Sequence, residues 1–489
     1  MKSQHVDLQK IARQAVLNYG FIPDFQKHVE KEIHRLKNLL PEAAQDKSIE
    51  DMRSLLWSSI DNIDSEDLDQ LEYCQRISKQ EIHVFVAIAD VDVYVKKGTA
   101  IDHHAYQNGT TVYAEVEIFP MLPEKLCTNL SSLCEGQDRL AVVVDFFVRK
   151  TGDIRPGKVR RAIVHNSAKL VYESVGDWLQ NEAPIPEKIV KKKGLQEQIL
   201  LQYEAAQWMH EFRMETGALE LETFETSVVM ADKKIGEIIV RRKIKSRLII
   251  ENFMVAANRT MSAFLEKHGI PYIQRILRIP ERWPRIIEIV NEHGDTLPAE
   301  ADSKALSDFL VRQRRRDPDH FPDLSLSIVK LLGHAEYDLI EPGKRNIGHF
   351  GLAVHDYTHS TAPNRRYVDI VIQRLIKNVL ARKPMPYAKL ELKNIADHCT
   401  LCDHSSKKVE RFMVKVAGAV LLMDRVGQLF SGIVTGASNK GVYVRLLSPP
   451  VEGRIMRGFR GMNVGDQVRV RLVGLDPQRG HVDFAGMNR

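Results

Sequence analysis

The chain has 489 residues, of which 44% are hydrophobic and 27% charged. That balance excludes disordered, fibrous and disulfide-stapled miniature classes and describes an ordinary globular protein. The length is several times what one compact core normally reaches, so two to four domains are expected. Lys and Arg exceed Asp and Glu only by 70 to 64, too small a margin to name a partner. The distribution is more informative, because residues 428–489 hold nine Lys/Arg against four Asp/Glu. That net +5 makes the C-terminal piece a candidate nucleic-acid binder.

The opening MKSQHVDLQK has no apolar core of a secretory signal, and apolar runs such as Ala417 to Met423 are too short to span a bilayer. A cytoplasmic protein with no membrane association is expected, and it is expected to act as a monomer. Five scattered cysteines are an odd number and fit reduced thiols. The cluster His398, Cys399, Cys402, His404 falls within seven residues of a predicted helix, where four ligands cannot easily converge on one zinc. These residues are read as ordinary helix positions.

In chain order, Leu8, Ile11, Ala12, Ala15 and Val16 recur at helical spacing behind a possible Asp7 cap, and Phe25, Val29, Ile33, Leu36 and Leu40 do so again. Residues 1–50 are therefore a small helical unit, either helix-turn-helix-like or a packing cap. From about Leu71 to His165 the runs are β-rich, including 82–89, 110–119 and 140–148. Between Leu170 and about Arg425 the signals are mainly helical, at 196–214, 247–268, 365–381 and 391–425. Residues 51–425 thus read as an α+β unit, a mixed sheet surrounded by helices.

Residues 426–489 return to short strands, at 428–434, 441–446, 453–456, 467–473 and 481–484. Five strands with Gly at the turns match a small OB-type barrel. Its sequence GIVTGASNKGVYVRL, followed by VGDQVRVRLVGLDPQRGHVDF, resembles the RNA-binding OB module named after ribosomal protein S-one. Phe430 and Tyr443 are candidate base-stacking faces beside Lys440, Arg445 and Arg454, with filling of the barrel as the competing role for either ring.

The chemical centre is Asp61-Asn62-Ile63-Asp64-Ser65-Glu66-Asp67-Leu68-Asp69-Gln70, which holds five carboxylates in ten residues. Such crowding is unfavourable unless cations share the site. Hard oxygen donors suit Mg²⁺ or Mn²⁺, ions able to activate water and stabilise the leaving oxygen of a phosphodiester. A solvated acidic loop is the default alternative. An EF-hand calcium loop is not met, because its Gly is absent.

What separates these readings is a resemblance to the ribonuclease II/R (RNB) family. Ile60-Asp61 followed by Asp67-Leu68-Asp69 is similar to its signature of Ile-Asp, a polar spacer and Asp-x-Asp-Asp. Further matches follow in the family's order: 83–91 (HVFVAIADV), 111–113 (TVY), 119–123 (FPMLP), 130–133 (LSSL), 169–172 (KLVY), 250–258 (IENFMVAAN) and 349–352 (HFGL). The segment 357–369, YTHSTAPNRRYVD, stands against the family's Y-T-H-F-T-S-P-I-R-R-Y-x-D.

The resemblance implies an RNB-type catalytic domain that hydrolyses single-stranded RNA from its 3′ end to nucleoside 5′-monophosphates with Mg²⁺, or Mn²⁺ in its place. It further implies that Asp61, Asp67, Asp69 and Gln70 hold metal, with Asp67, Asp69 and Arg365 catalytic. Arg365 would face the scissile phosphate, Arg366 would support it or pair with Asp369, and Tyr113 would stack on the terminal nucleotide. Two departures stand out. Only the short helical unit precedes the catalytic domain, where family members usually carry cold-shock OB domains. The family's fourth Asp is Gln70, whose amide oxygen can ligate Mg²⁺ but brings no charge. A catalytically weak RNA-binding protein is therefore the alternative expectation.

Overall fold

The near-continuous apolar runs HVFVAIA and LAVVVDFF call for strands buried on both faces. They lie in a six-stranded sheet built from Ile49–Asp51, Trp57–Asp61, Gln70–Ser78, Glu81–Ala89, Asp138–Arg149 and Ile154–Val171. The computed structural model describes residues 6–487 except 223–225, 232–233, 241–243, 319, 345 and 439–440. The long strand Ile154–Val171 closes the sheet on itself. Its first part runs antiparallel to Asp138–Arg149, and its last part runs parallel to Trp57–Asp61, with Val171 beside Asp61. Sequence reading ended this β-region near His165; the strand continues to Val171 because its alternate residues, such as Ala168 and Leu170, remain in the core.

Helices Leu195–Glu215 and Lys245–Lys267 cover the sheet, and Phe146 meets Phe253 edge-on at 6.3 Å between ring centres. Helix Tyr367–Leu380 is held by buried charge rather than by packing alone. Its Arg374 pairs with Asp92 at 2.9 Å and Asp102 at 2.8 Å, and its Lys377 with Asp90 at 2.6 Å. Removing one partner would leave a buried charge uncompensated, typically about 3–5 kcal/mol. A separate lobe of three helices, Trp283–Glu292, Ser303–Arg316 and Phe321–Leu332, has its own core around Trp283, Ile286, Phe309 and Ile328.

The first helices dock on different neighbours. Ala12, Ala15 and Val16 of Leu8–Asn18 pack against Val409, Met413 and Val416 of the long helix Lys389–Leu421. From Lys27–Arg35, Glu32 Oε2 accepts the Ala100 N–H at 2.7 Å, satisfying the start of helix Ala100–Asn108. The segment lies on these helices as a cap. On Lys389–Leu421, Cys399 and Cys402 are buried, and a His398 ring nitrogen meets the Tyr106 carbonyl at 2.8 Å. Among the described residues no helix is long and apolar enough to cross a membrane.

The last five strands, Leu429–Ser438, Gly441–Leu446, Glu452–Arg457, Gln467–Asp476 and His481–Gly486, close into a barrel. Phe430 corrects the expectation of a stacking surface, because it alternates inward with Gly432 and Val434 and belongs to the barrel core. Tyr443 is 36% exposed, and Lys440 lies outside the described residues. The barrel rests on Ala419 and Leu422 at the end of the long helix. It also reaches the three-helix lobe, where Arg445 pairs with Asp323 at 3.0 Å and Lys330 Nζ donates to the Thr435 carbonyl at 3.3 Å.

Because Phe253 is fully buried at the junction of helix and sheet, Phe253→Ala is expected to cost about 3–5 kcal/mol. Urea denaturation followed by far-UV circular dichroism checks this, and a loss below about 1 kcal/mol would contradict the packing described.

Candidate active site

The acidic loop is held from three sides. Lys169, near the end of the long strand, donates to the carbonyls of Ile63 at 3.1 Å and Ser65 at 2.5 Å. Ser132 accepts the Leu68 N–H at 3.0 Å and donates to the Glu66 carbonyl at 2.6 Å. Ala89 N–H donates to the Asp69 carbonyl at 2.9 Å, where the strand Gln70–Ser78 begins. Asp61 ends the neighbouring strand, so strand ends and a pinned loop bring Asp61, Asp67, Asp69 and Gln70 to one cavity. Asp64 and Glu66 line the same cavity but are exposed.

The opposing wall comes from nearly 300 residues away. Asp69 Oδ1 accepts the Asn364 N–H at 3.0 Å, and Oδ2 receives Arg365 Nε at 3.3 Å. The Arg365 loop is held by Asp369, whose Oδ1 accepts the Ala362 N–H at 2.7 Å, and by the Thr111 N–H donating to the Arg365 carbonyl at 3.0 Å. Asp369 also takes both arms of Arg366, at 2.9 and 2.7 Å. Arg366 is thus committed to holding helix Tyr367–Leu380 to its loop and does not line the cavity, which corrects its expected RNA contact. The Arg365 side chain remains 47% exposed.

Burial dominates the electrostatics. It pushes the Asp69 carboxyl up to about 7 and that of Asp61 up to about 6, and it raises Asp67 as well. Arg365 opposes the shift at Asp69, while Asp67 adds to it. Gln70 Nε2 donates to Asp61 Oδ1 at 3.2 Å, yet Asp61 Oδ2 is buried with no partner among the described residues. Among those residues no three His, Cys, Asp or Glu side chains converge as a ready ligand set. The orphaned oxygen and the purely oxygen donor set of Asp61, Asp67, Asp69 and Gln70 nevertheless fit a hard divalent cation.

The cavity encloses about 1160 Å³. Tyr113, on the short hairpin of Val112–Tyr113 and Ile118–Phe119, lines it, with its hydroxyl 3.5 Å from Asp67 Oδ2. Sequence reading gave no role to Tyr172 or Arg247, which also line it; the Arg247 guanidinium lies 4.6 Å from the centre of the Tyr172 ring. Tyr172 belongs to the segment 169–172 that resembles the RNB pattern, whereas Arg247 stands outside the matched segments, at the start of the predicted helix 247–268. The far wall carries Lys330, Arg411, Lys415 and Arg445. Arg445 is spent on Asp323 rather than held ready for a phosphate, which corrects its assignment as a free RNA contact. Tyr443 is not among the lining residues.

Residues 49–382 match the RNB domain and residues 428–486 the RNase II-type exonuclease C-terminal S1 domain. The chain belongs to the RNB family, and its fold is the RNB fold followed by a closed five-stranded barrel. It is similar to ribonuclease R of Thermotoga maritima, 27% identical over 93% of this chain and 67% of the relative, and to ribonuclease R of Escherichia coli, 27% identical over 94% and 59%. The chain therefore spans between about three fifths and two thirds of the length of these curated relatives. The solved structure of Mycoplasma genitalium RNase R in complex with ribose-methylated single-stranded RNA superposes with a TM-score of 0.88, at 24% identity, covering 98% of this chain and 78% of that one.

The raised carboxyl of Asp69 fixes a sign. Below the unfolded value of 3.8 both states hold the proton, and from about 4 to about 7 the folded state holds more. In chelator, this group's contribution to stability therefore falls as pH rises through that window. Asp69→Asn is expected to gain stability relative to the unmodified protein between about pH 4.5 and 7.5. Urea titrations at several pH values measure the difference, and one that stays flat contradicts the burial-driven shift.

Proposed function

We propose that the chain hydrolyses single-stranded RNA from the 3′ end, releasing nucleoside 5′-monophosphates. The observation that carries this reading is the meeting of Asp61, Asp67 and Asp69 with Arg365 and Tyr113 in one cavity. Arg365 presents a planar, permanently charged group to a phosphate, and Asp69, receiving its Nε, fixes the direction in which it points. Tyr113 offers an aromatic face to the terminal base, and stacking tolerates any base. Little sequence preference follows.

Nucleases of the RNB family are metal-dependent, and we assign Mg²⁺, with Mn²⁺ able to replace it, to Asp61, Asp67, Asp69 and Gln70. A divalent ion supplies an activated water and charge stabilisation at the leaving oxygen. RNA is the partner, in keeping with the RNA-bound Mycoplasma genitalium neighbour. The alternative motivated by Gln70, a catalytically weak RNA-binding protein, is not favoured, because the other three acids and Arg365 are all held at the cavity. We assign residues 51–425 to catalysis, 426–489 to gripping RNA and 1–50 to capping. A cytoplasmic monomer goes with this reading, since one chain supplies every group invoked.

With 5′-labelled single-stranded RNA and Mg²⁺, progressive shortening from the 3′ end is expected, and Asp69→Asn or Arg365→Ala should slow it by about 100-fold or more. Wild-type protein that leaves the RNA intact under both Mg²⁺ and Mn²⁺ would overturn the proposal.

A further inference from the structure

A second guanidinium lines the cavity, beside Asp61 rather than Asp69. Arg247 stands at the start of helix Lys245–Lys267, and its Nη2 lies 3.5 Å from Oδ1 of Asn62, the residue after Asp61. Its guanidinium sits 4.6 Å from the centre of the Tyr172 ring. Tyr172 in turn follows Val171, which pairs with Asp61 across two parallel strands. The Ser246 hydroxyl donates to the Tyr172 carbonyl at 2.6 Å, tying the helix start to the strand end and setting Arg247 against the ring.

The contacts of Arg247 differ from those of the arginines that hold the fold together. Arg366 has both arms on Asp369 at 2.9 and 2.7 Å, and Arg374 has Asp92 at 2.9 Å and Asp102 at 2.8 Å. Among the described residues the one carboxylate within 4.0 Å of Arg247 is the exposed Glu173, at 3.9 Å. Such a solvent-screened pair is weak, and the Asn62 oxygen is neutral and at the limit of a hydrogen bond. The Arg247 side chain is 34% exposed. Contact with an aromatic ring steadies a guanidinium while leaving the donors on its edge open. A permanently charged fork with open donors suits a phosphate, which it can grip with two parallel hydrogen bonds.

We propose that Arg247, braced on Tyr172, forms a second phosphate-binding subsite, which takes a phosphate of the RNA chain other than the one that meets Arg365. Its part is to fix the register in which the strand lies along the carboxylate floor. The phosphate belongs to a neighbouring internucleotide linkage or to a 3′-phosphorylated terminus. The inference rests on RNA as the occupant of the cavity, and not on turnover.

The test measures binding of the full chain to labelled, 2′-O-methylated single-stranded RNA by fluorescence anisotropy in chelator. Each linkage near the 3′ end is replaced in turn by a neutral methylphosphonate. At one linkage the replacement is expected to weaken wild-type binding about 10-fold. Arg247→Gln, which keeps much of the side chain and removes the charge, should be indifferent to that replacement, and Arg365→Ala should be indifferent at a different linkage. Arg247→Gln should also flatten the slope of log Kd against log salt by about 0.7, the share of one phosphate on a single strand. Its melting temperature should match wild type, because the protein contacts it removes are weak. A matched pair of RNAs ending in 3′-hydroxyl and 3′-phosphate separates the two sources: a 3′-phosphate that tightens binding by wild type and not by Arg247→Gln puts the subsite at the terminus. Three results would each overturn the proposal: wild type and Arg247→Gln responding alike to every linkage and to the 3′-phosphate, Arg247 and Arg365 answering to the same linkage, or Arg247→Gln melting lower and weakening all RNAs equally. RNA left undegraded by wild type, with the linkage effect intact, would sink the proposed activity and leave this inference standing; degradation by wild type with no linkage effect would do the opposite.

Discussion

The two oxygens of Asp69 hold the site together. One takes a backbone N–H from Asn364 and the other takes Nε of Arg365, so a single buried carboxylate joins two segments nearly 300 residues apart in the chain. Both contacts favour the ionised acid, while burial opposes it, and burial wins. The junction is consequently held under electrostatic tension: the acid that positions the guanidinium is also one that burial drives toward its neutral form. Asp61, pushed up by burial in the same way, adds to the deficit on its own strand end.

Gln70 takes on a different meaning in that setting. An acid there would stand beside Asp61 and repel it, whereas the amide donates to Asp61 at 3.2 Å. The exchange relaxes the cation-free floor and reduces its pull on a cation. Attraction for a cation and stability without one are opposed quantities at such a floor, because both scale with the same crowding of negative charge.

Much of this architecture was legible in the sequence. The barrel strands and the long helices carry strong periodicity, and the acidic loop and the segment around Arg365 stand out by their chemistry. What escaped the sequence was decided by contacts across the chain. Phe430 and Tyr443 look alike as aromatic residues in strands, and only the register of a closed barrel turns one inward and leaves the other exposed. Arg445 reads as a free cation until the three-helix lobe places Asp323 against it. Arg366 follows the same rule, since Asp369 lies one helical turn away and its N–H acceptor role ties it to the loop. Glu72, wholly buried in strand Gln70–Ser78, gave no signal at all, because an acid between apolar neighbours in a strand looks like a solvent-facing residue until both sides of the strand are covered.

The barrel's position completes the argument about charge. Lys330, Arg411 and Lys415 line the wall away from the carboxylate floor, on the helices that meet the barrel. A polyanion is drawn toward that wall and repelled by the floor, so the two ends of the cavity pull an incoming strand in opposite senses. The Arg445–Asp323 pair and the Lys330–Thr435 contact fix the barrel against the lobe, keeping the basic wall at a set distance from Asp69. A phosphate is drawn to the floor where positive charge reaches it, and among the described residues Arg365 is the cation paired with Asp69, its side chain 47% exposed. The geometry that gathers the acids therefore also sets a guanidinium against them, where an anion can meet the floor.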